Sequence, residues 1–152
     1  MALVAVSVLV PGLAATPASQ VASNEGQAIQ WQSFDPARIR REVAAGKLVF
    51  VDVTAAWCLT CKVNEAAVLD RSPVAGRLGN PGVVAMRADW TRPEPQITAY
   101  LQSFGRYGVP LDVVYGPALP DGEALSELLS ASAVVGAIER AMVPPPKTLT
   151  ER

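Results

Sequence analysis

Residues 47–62 read KLVFVDVTAAWCLTCK, and this stretch decides which fold the chain is expected to adopt. Residues 47–53 are mostly apolar and rich in β-branched side chains, which is typical of a buried central strand. A Cys-x-x-Cys motif follows at once, and we predict a helix from about Cys58 to Asp70. The sequence therefore predicts two cysteines at the N-terminus of a helix, directly after a central strand.

The spacing of Cys58 and Cys61 favours thiol–disulfide exchange. The thiolate is the reactive form of cysteine, and a helix N-terminus lowers the thiol pKa because its free N–H groups and dipole stabilise negative charge. Cys58 is therefore predicted to be the attacking thiol. Cys61 lies one helical turn later on the same side, where it can close a disulfide with little backbone movement. Such a pair exchanges two electrons through a mixed disulfide.

Two carboxyl groups are candidates for proton transfer. Asp52 lies in an otherwise apolar strand, six residues before Cys58. A carboxyl group there is expected to be buried with a raised pKa, and so to pass a proton to and from the Cys61 thiol. Glu65 follows Cys61 by four residues, on the same helix face, and could share this duty. For each residue the alternative is a solvated or hydrogen-bonded carboxylate without a catalytic role.

The tripeptide Gly108-Val109-Pro110 precedes a predicted strand at 111–115. A proline at the first position of a strand that faces an active site can adopt the cis form, and we expect it here. The free backbone of Val109 would then pair with an extended peptide beside the cysteines. An ordinary trans proline in a turn is the alternative.

Sequence patterns predict the remaining elements. Proline after Asp35 marks a helix start, Gly46 marks its end, and apolar residues at helical spacing mark the later helices. The predicted elements are a strand at 29–32, helix 36–45, a further helical turn after Ser72-Pro73, strand 82–88, helix 94–104, a hairpin turn at Asp121-Gly122 and helix 134–142.

Composition excludes several classes of function. The 152 residues are 50% hydrophobic and 18% charged, which fits one globular domain. A formal net charge of −1, without a basic run, gives no reason to expect nucleic acid as a partner. The chain has no histidine, which excludes Ser-His-Asp and Cys-His catalysis. Two cysteines without histidine cannot form a closed zinc site, so no metal is expected.

The ends of the chain differ from its middle. Residues 1–15 are apolar and uncharged, but a membrane span needs about 20 residues. They also lack the basic region of a standard signal peptide. A weak signal sequence, the end of a transmembrane helix and a disordered leader all remain open. We expect a linker at 16–28, one domain at 29–143 and a loose, proline-rich tail at 144–152.

Two longer stretches carry a resemblance to a known family. VFVDVTAAWCLTCKVNE (49–65) and RADWTRPEPQITAYLQSFGRYGVPLDVVY (87–115) resemble the C-terminal thioredoxin-like domain of the DsbD family, the membrane-bound protein-disulfide reductases that include ScsB-type proteins. WCxxCK alone indicates only the thioredoxin superfamily. The CLTCKVNE extension, Asp89-Trp90-Thr91 and the Gly-Val-Pro tripeptide support the narrower assignment, over roughly 31–142.

The resemblance implies an α/β thioredoxin-like fold, in which helices flank a central mixed β-sheet, and a redox-active disulfide that needs no further cofactor. It implies a periplasmic domain, tethered to the bacterial inner membrane, that takes electrons from a transmembrane donor domain and passes them to periplasmic thiol proteins, cytochrome c maturation factors among them. By position, the nucleophile is Cys58, the resolving cysteine is Cys61, the acidic residues are Asp52 and Glu65, and the cis-proline is Pro110. We expect substrates to bind at Trp57, Val109 and Pro110.

One residue departs from the family pattern. Many relatives have Asp before the tryptophan, where this chain has Ala56. The loss of that charge leaves partner preference open. Two other functions also remain possible: an independent periplasmic thioredoxin-like protein of the cytochrome c maturation type, and a non-catalytic binding module with a structural disulfide.

Overall fold

The computed structural model describes residues 28–143 as helices packed on both faces of a five-stranded sheet. The strand order is β1-β3-β2-β4-β5; β1, β3 and β2 run parallel, and β4 and β5 are antiparallel to their neighbours. The mixed α/β fold expected from the sequence is confirmed. The elements are β1 Gln32–Ser33, α1 Pro36–Ala44, β2 Leu48–Thr54, α2 Leu59–Asn64, a π-helical turn Glu65–Leu69, α3 Val74–Leu78, β3 Val83–Asp89, α4 Pro95–Ser103, β4 Leu111–Gly116, β5 Leu119–Ala124 and α5 Ala131–Met142.

Strand β2 is the centre of the fold, and all seven of its residues are buried. Side chains of successive strand residues point to opposite faces. Val49, Val51 and Val53 contribute to an apolar cluster with α1 and α4, which we call the α1/α4 face. Leu48 and Phe50 contribute to a second cluster with α3, α5 and the π-helical turn, which we call the α2/α5 face. The strand therefore supports two cores.

Helix starts follow their capping residues. Asp35 caps α1 as predicted, and its side chain accepts hydrogen bonds from the backbone N–H groups of Ala37 and Arg38 at 2.9 and 3.1 Å. Cys58 is the N-cap of α2 rather than its first residue. The helix predicted from Cys58 to Asp70 is α-helical only as far as Asn64, after which one π-helical turn leads to α3.

The hairpin turn predicted at Asp121-Gly122 is wrong. The turn between β4 and β5 lies at Pro117-Ala118, because Gly116 pairs with Leu119. Asp121 and Gly122 lie inside β5, where the pairing register shifts and Gly122 has φ +83°. The Asp-Gly signal marked a real left-handed position, but it belongs to a bulge rather than to a turn.

The expectations for residues 1–15, for most of the linker at 16–28 and for the tail at 144–152 fall outside the described residues. Within residues 28–143, no helix is long and apolar enough to cross a membrane.

Candidate redox site

Cys58 and Cys61 form a disulfide at the start of α2, with their Cα atoms 5.3 Å apart. Cys58 is 6% exposed and Cys61 is 2% exposed, so Cys58 is the more accessible of the two residues. The Cys58 Sγ accepts the backbone N–H of Cys61 at 3.1 Å. A donor in that position stabilises negative charge on the sulfur when the disulfide opens. The geometry is that of an attacking thiol at a helix cap.

A short turn carries the chain from β2 to Cys58. The Cys58 N–H donates to the carbonyl of Ala55 at 3.1 Å, and the N–H of Trp90 donates to the carbonyl of Thr54 at 2.8 Å. Ala55 is buried against the two cysteines. The end of β2 and the following turn therefore fix the position of the cysteine pair.

Asp52 is 3% exposed on the α2/α5 face of the sheet. Its Oδ2 accepts a hydrogen bond from Nε of Arg87 at 2.8 Å and forms an ion pair with Nη2 of the same guanidinium, also at 2.8 Å. Burial raises the pKa of Asp52 to about 6, although the Arg87 guanidinium acts in the opposite direction. A carboxyl group of this acidity can hold or release a proton near neutral pH, as a general acid or base requires.

Glu65 directly follows α2, and its side chain contacts both Lys62 of α2 and Arg87 of β3. Its carboxylate accepts from Lys62 Nζ at 3.0 Å and from the Thr54 hydroxyl at 3.3 Å, and it lies 3.8 Å from Arg87 Nη2. The structure thus joins Glu65 and Asp52 through one guanidinium.

Trp57 is 61% exposed beside the disulfide. Its indole N–H donates to the carbonyl of Thr91 at 3.1 Å, and its ring centre lies 6.3 Å from that of Trp90. The N–H of Ala56, the residue that departs from the family pattern, donates to Thr91 Oγ1 at 2.8 Å. These contacts hold an apolar ring at the surface next to the reactive sulfur.

The Val109–Pro110 peptide bond is cis, as expected. Pro110 is buried, while Val109 is partly exposed and packs against both cysteines. The structure therefore brings the cysteine pair, Trp57 and the Val109–Pro110 bond together at one end of the sheet. Asp52 and Glu65 are joined to each other through Arg87. Their catalytic and binding roles stay predictions. A second cis bond, Ser72–Pro73, was not predicted.

Sequence reasoning missed two charged residues in buried strands. Arg87 lies in β3, where it contacts Asp52 and also lies 4.0 Å from the ring centre of Trp31. Asp112 lies in β4 and is 2% exposed. Each is a lone charge in an apolar run, GVVAMRA for one and LDVVY for the other, which is the signal that identified Asp52. No group of three or more possible metal ligands occurs within residues 28–143.

Comparison with known proteins agrees with this geometry. Residues 30–117 match a family model described as thioredoxin-like. Over 117 residues the chain is 32% identical to the thiol:disulfide interchange protein DsbD 1 of Pseudomonas aeruginosa, an alignment that covers 74% of this chain. The chain spans only 18% of the length of that relative.

Several solved structures share this fold. The oxidised C-terminal domain of Neisseria meningitidis DsbD is 26% identical, with a TM-score of 0.50, covering 68% of this chain and 86% of that one. The reduced form gives 24% identity and a TM-score of 0.53, covering 69% and 91%. A thioredoxin from Thermus thermophilus, 20% identical, gives 0.58, covering 77% and 89%.

The fold, the cysteine pair and these similarities define a thiol–disulfide oxidoreductase domain whose redox centre is the Cys58–Cys61 disulfide. The chain belongs to the thioredoxin-like family. Within that family it resembles the C-terminal domain of DsbD.

Proposed function

We propose that this domain is a protein-disulfide reductase that receives electrons from a membrane-embedded donor domain and passes them to disulfides of periplasmic proteins. The observation that carries the proposal is the Cys58–Cys61 pair, with Cys58 at the cap of α2, in a chain 32% identical to a thiol:disulfide interchange protein. The direction of electron flow and the periplasmic location rest on the resemblance to DsbD.

The proposed organisation follows from the same resemblance. The thioredoxin-like domain would span 29–143. The domain would thus be tethered to the inner membrane, with its cysteine pair facing the periplasm.

The proposed reaction begins with attack by a donor thiolate on Cys58 Sγ. The disulfide breaks, a mixed disulfide forms at Cys58, and the electron pair of the broken bond goes to Cys61 Sγ. Asp52 gives its proton to that sulfur, and Glu65 takes part through their shared contact with Arg87. The second donor thiol gives its proton to Asp52 and, as a thiolate, attacks the donor sulfur of the mixed disulfide. The donor disulfide forms, the bond to Cys58 breaks, and Cys58 leaves as a thiolate.

We propose that protein substrates dock beside the disulfide. The exposed ring of Trp57 provides apolar contact area. The backbone of Val109, before the cis peptide bond to Pro110, is placed to pair with an extended peptide.

The direction of electron flow is tested by the equilibrium potential of the cysteine pair. The 152-residue chain is equilibrated with glutathione buffers, its thiols are alkylated, and the oxidised fraction is measured. A potential near that of thioredoxin, about −270 mV, is expected for a reductant. A potential near about −120 mV, typical of a strong oxidant, would overturn the reductase assignment.

The roles of the two cysteines are tested with matched variants. Cys61→Ser should accumulate a mixed disulfide with a disulfide-bonded substrate protein, because the Cys58 thiolate attacks the substrate disulfide and no second thiol is present to resolve the product. Cys58→Ser should accumulate none. Equal trapping by both variants, or preferential alkylation of Cys61 in the reduced protein, would contradict the assigned order of attack.

A further inference from the structure

Asp112 is a buried carboxyl group that the proposed reaction does not use. It lies in β4, is 2% exposed, and its Oδ1 has no hydrogen-bond partner among the residues that the structure describes. Burying a polar atom without a hydrogen-bond partner destabilises the folded state. A carboxyl oxygen in that state therefore needs an explanation.

The nearest polar neighbour across the sheet is another carboxyl group. In the antiparallel pairing of β2 with β4, Asp112 is directly opposite Asp52. Directly opposed residues project to the same face, with Cβ atoms about 4.5–5.5 Å apart. The two carboxyl groups are therefore within reach of a shared hydrogen bond on the α2/α5 face.

The charges around this pair do not balance if both groups are ionised. Arg87 contacts Asp52 at 2.8 Å and Glu65 at 3.8 Å, but within residues 28–143 no cation lies within salt-bridge distance of Asp112. Three other cations are each paired with a glutamate: Lys62 with Glu65, Arg106 with Glu127, and Arg140 with Glu123. The Arg87 guanidinium thus contacts one of the two buried aspartates, and within residues 28–143 no cation contacts the other.

We propose that Asp112 is a positioning residue, a neutral carboxylic acid whose O–H donates to the Asp52 carboxylate and keeps Asp52 as the member of the pair that exchanges its proton with Cys61. The inference rests on the proposed role of Asp52. In the reaction, Asp52 loses its proton to Cys61 Sγ as the disulfide breaks. The new carboxylate is then held by Arg87 on one side and by the Asp112 hydroxyl on the other, while Asp112 keeps its own proton.

The acidities support this order of ionisation. Burial raises the pKa of both groups, but Arg87 forms hydrogen bonds with Asp52 alone and limits the rise there to about 6. For Asp112, burial and the negative charge of Asp52 both raise the pKa, well above the ordinary value. Two carboxyl groups at one site ionise in two steps, and here Asp52 is the stronger acid.

The direct test is carboxyl ¹³C NMR of the oxidised protein with labelled aspartate, recorded from pH 4 to pH 9. The Asp112 resonance should stay in its protonated position at pH 7, while that of Asp52 titrates near pH 6. Titration of Asp112 near pH 4, or at lower pH than Asp52, would overturn the proposal.

Two variants separate the charge of Asp112 from its hydrogen bond. Asp112→Asn keeps an N–H donor, so the midpoint of Asp52 should stay near that of the unchanged protein. Asp112→Val removes the donor, and the midpoint should rise by about one pH unit or more. Asp121→Asn, an exposed carboxylate on the adjacent strand β5, is the matched control and should leave the midpoint unchanged. An unshifted midpoint in Asp112→Val would contradict the inference.

The same variants are read in the pH profile of disulfide reduction by dithiothreitol. The inflection near pH 6 should move upward in Asp112→Val and be restored in Asp112→Asn. In Asp52→Asn it should vanish. If it persists in Asp52→Asn, the proton-carrier role of Asp52 fails, whereas the NMR titration of Asp112 in the unchanged protein still decides the state of Asp112.

Discussion

The two faces of the sheet use the same strands for different purposes. On the α1/α4 face, Val49, Val51 and Val53 alternate along β2 and pack only against other core residues. On the α2/α5 face, the apolar Phe50 is followed two residues later by Asp52, which lies opposite Asp112. Neighbouring residues of β2 thus contribute to an apolar core on one face and to a cluster of buried charges on the other.

The difference shows where stability and chemistry reside in this domain. The polar groups of the α1/α4 face are few and satisfied: the hydroxyls of Tyr100 and Tyr115 are 2.7 Å apart and bond to each other. On the other face, Asp112 Oδ1 lacks a partner within the described residues, and burial opposes the ionised form of both aspartates. The buried aspartates therefore destabilise the fold near the end of β2 that leads to the cysteines.

The largest loss of stability is expected when a second carboxyl group is added to β2, one residue before Asp52. Val51→Asp places it on the α1/α4 face, among apolar side chains and without a cation. The free energy of unfolding should fall by more than about 4 kcal/mol, because an unpaired buried charge is among the most destabilising changes. Urea denaturation measures it, with Val51→Ala as the control for lost volume. Equal losses in the two variants would show that a carboxyl group on the α1/α4 face costs no more than the lost side-chain volume.

Removal of the Asp52 carboxyl group from the α2/α5 face should raise the stability relative to the unchanged protein as the pH increases. Asp52 ionises near pH 3.8 when unfolded but near pH 6 when folded, so the folded state binds more protons in between. Its stabilising contribution is therefore full below pH 3.8 and is lost as pH rises through 6. The stability of Asp52→Asn relative to the unchanged protein should increase by about 2–3 kcal/mol from pH 4 to pH 8.

Denaturation at a series of pH values, with both proteins oxidised, provides this difference. Surface carboxylates with lowered pKa values, such as Glu42 and Glu123, contribute equally to both proteins and cancel. A stability difference that does not change with pH would mean that the pKa of Asp52 is the same in the folded and unfolded states.

The smallest effect is expected at the tyrosine pair of the α1/α4 face. Tyr115→Phe removes one partner of a buried hydrogen bond and should cost about 1 kcal/mol. Burial raises the pKa of Tyr115 to about 12 and that of Tyr100 further still, so the cost should be constant between pH 5 and pH 9. The double variant Tyr100→Phe/Tyr115→Phe tests whether the unpaired hydroxyl causes the loss. A cost that varies with pH in this range would remove the contrast between the faces.

Regular periodicity allowed most of the fold to be predicted from the sequence. The strands β2, β3 and β4 are short apolar runs, and the capping signal at Asp35 gave the start of α1. The hairpin turn was misplaced because an Asp-Gly pair has the same backbone preference in a bulge as in a turn. Local sequence does not contain the strand pairing that separates the two.

The site was predicted in part for a similar reason. Cysteine spacing, Asp52 and the Gly-Val-Pro tripeptide are local signals, and the structure brings them together. Asp112 and Arg87 were visible as lone charges in apolar strands. Their connection to Asp52 depends on the strand order β3-β2-β4, which places both beside it. That order is a property of the tertiary structure.

The contact between Arg87 and the Trp31 ring also bears on where this domain begins as an autonomous unit. Strand β1 has only two residues, and a fragment that starts at Phe34 would keep every helix and the four longer strands. It would nevertheless lose the indole that covers the guanidinium paired with Asp52. A redox unit that keeps this contact must therefore include Trp31, although no helix and none of the four longer strands requires that residue.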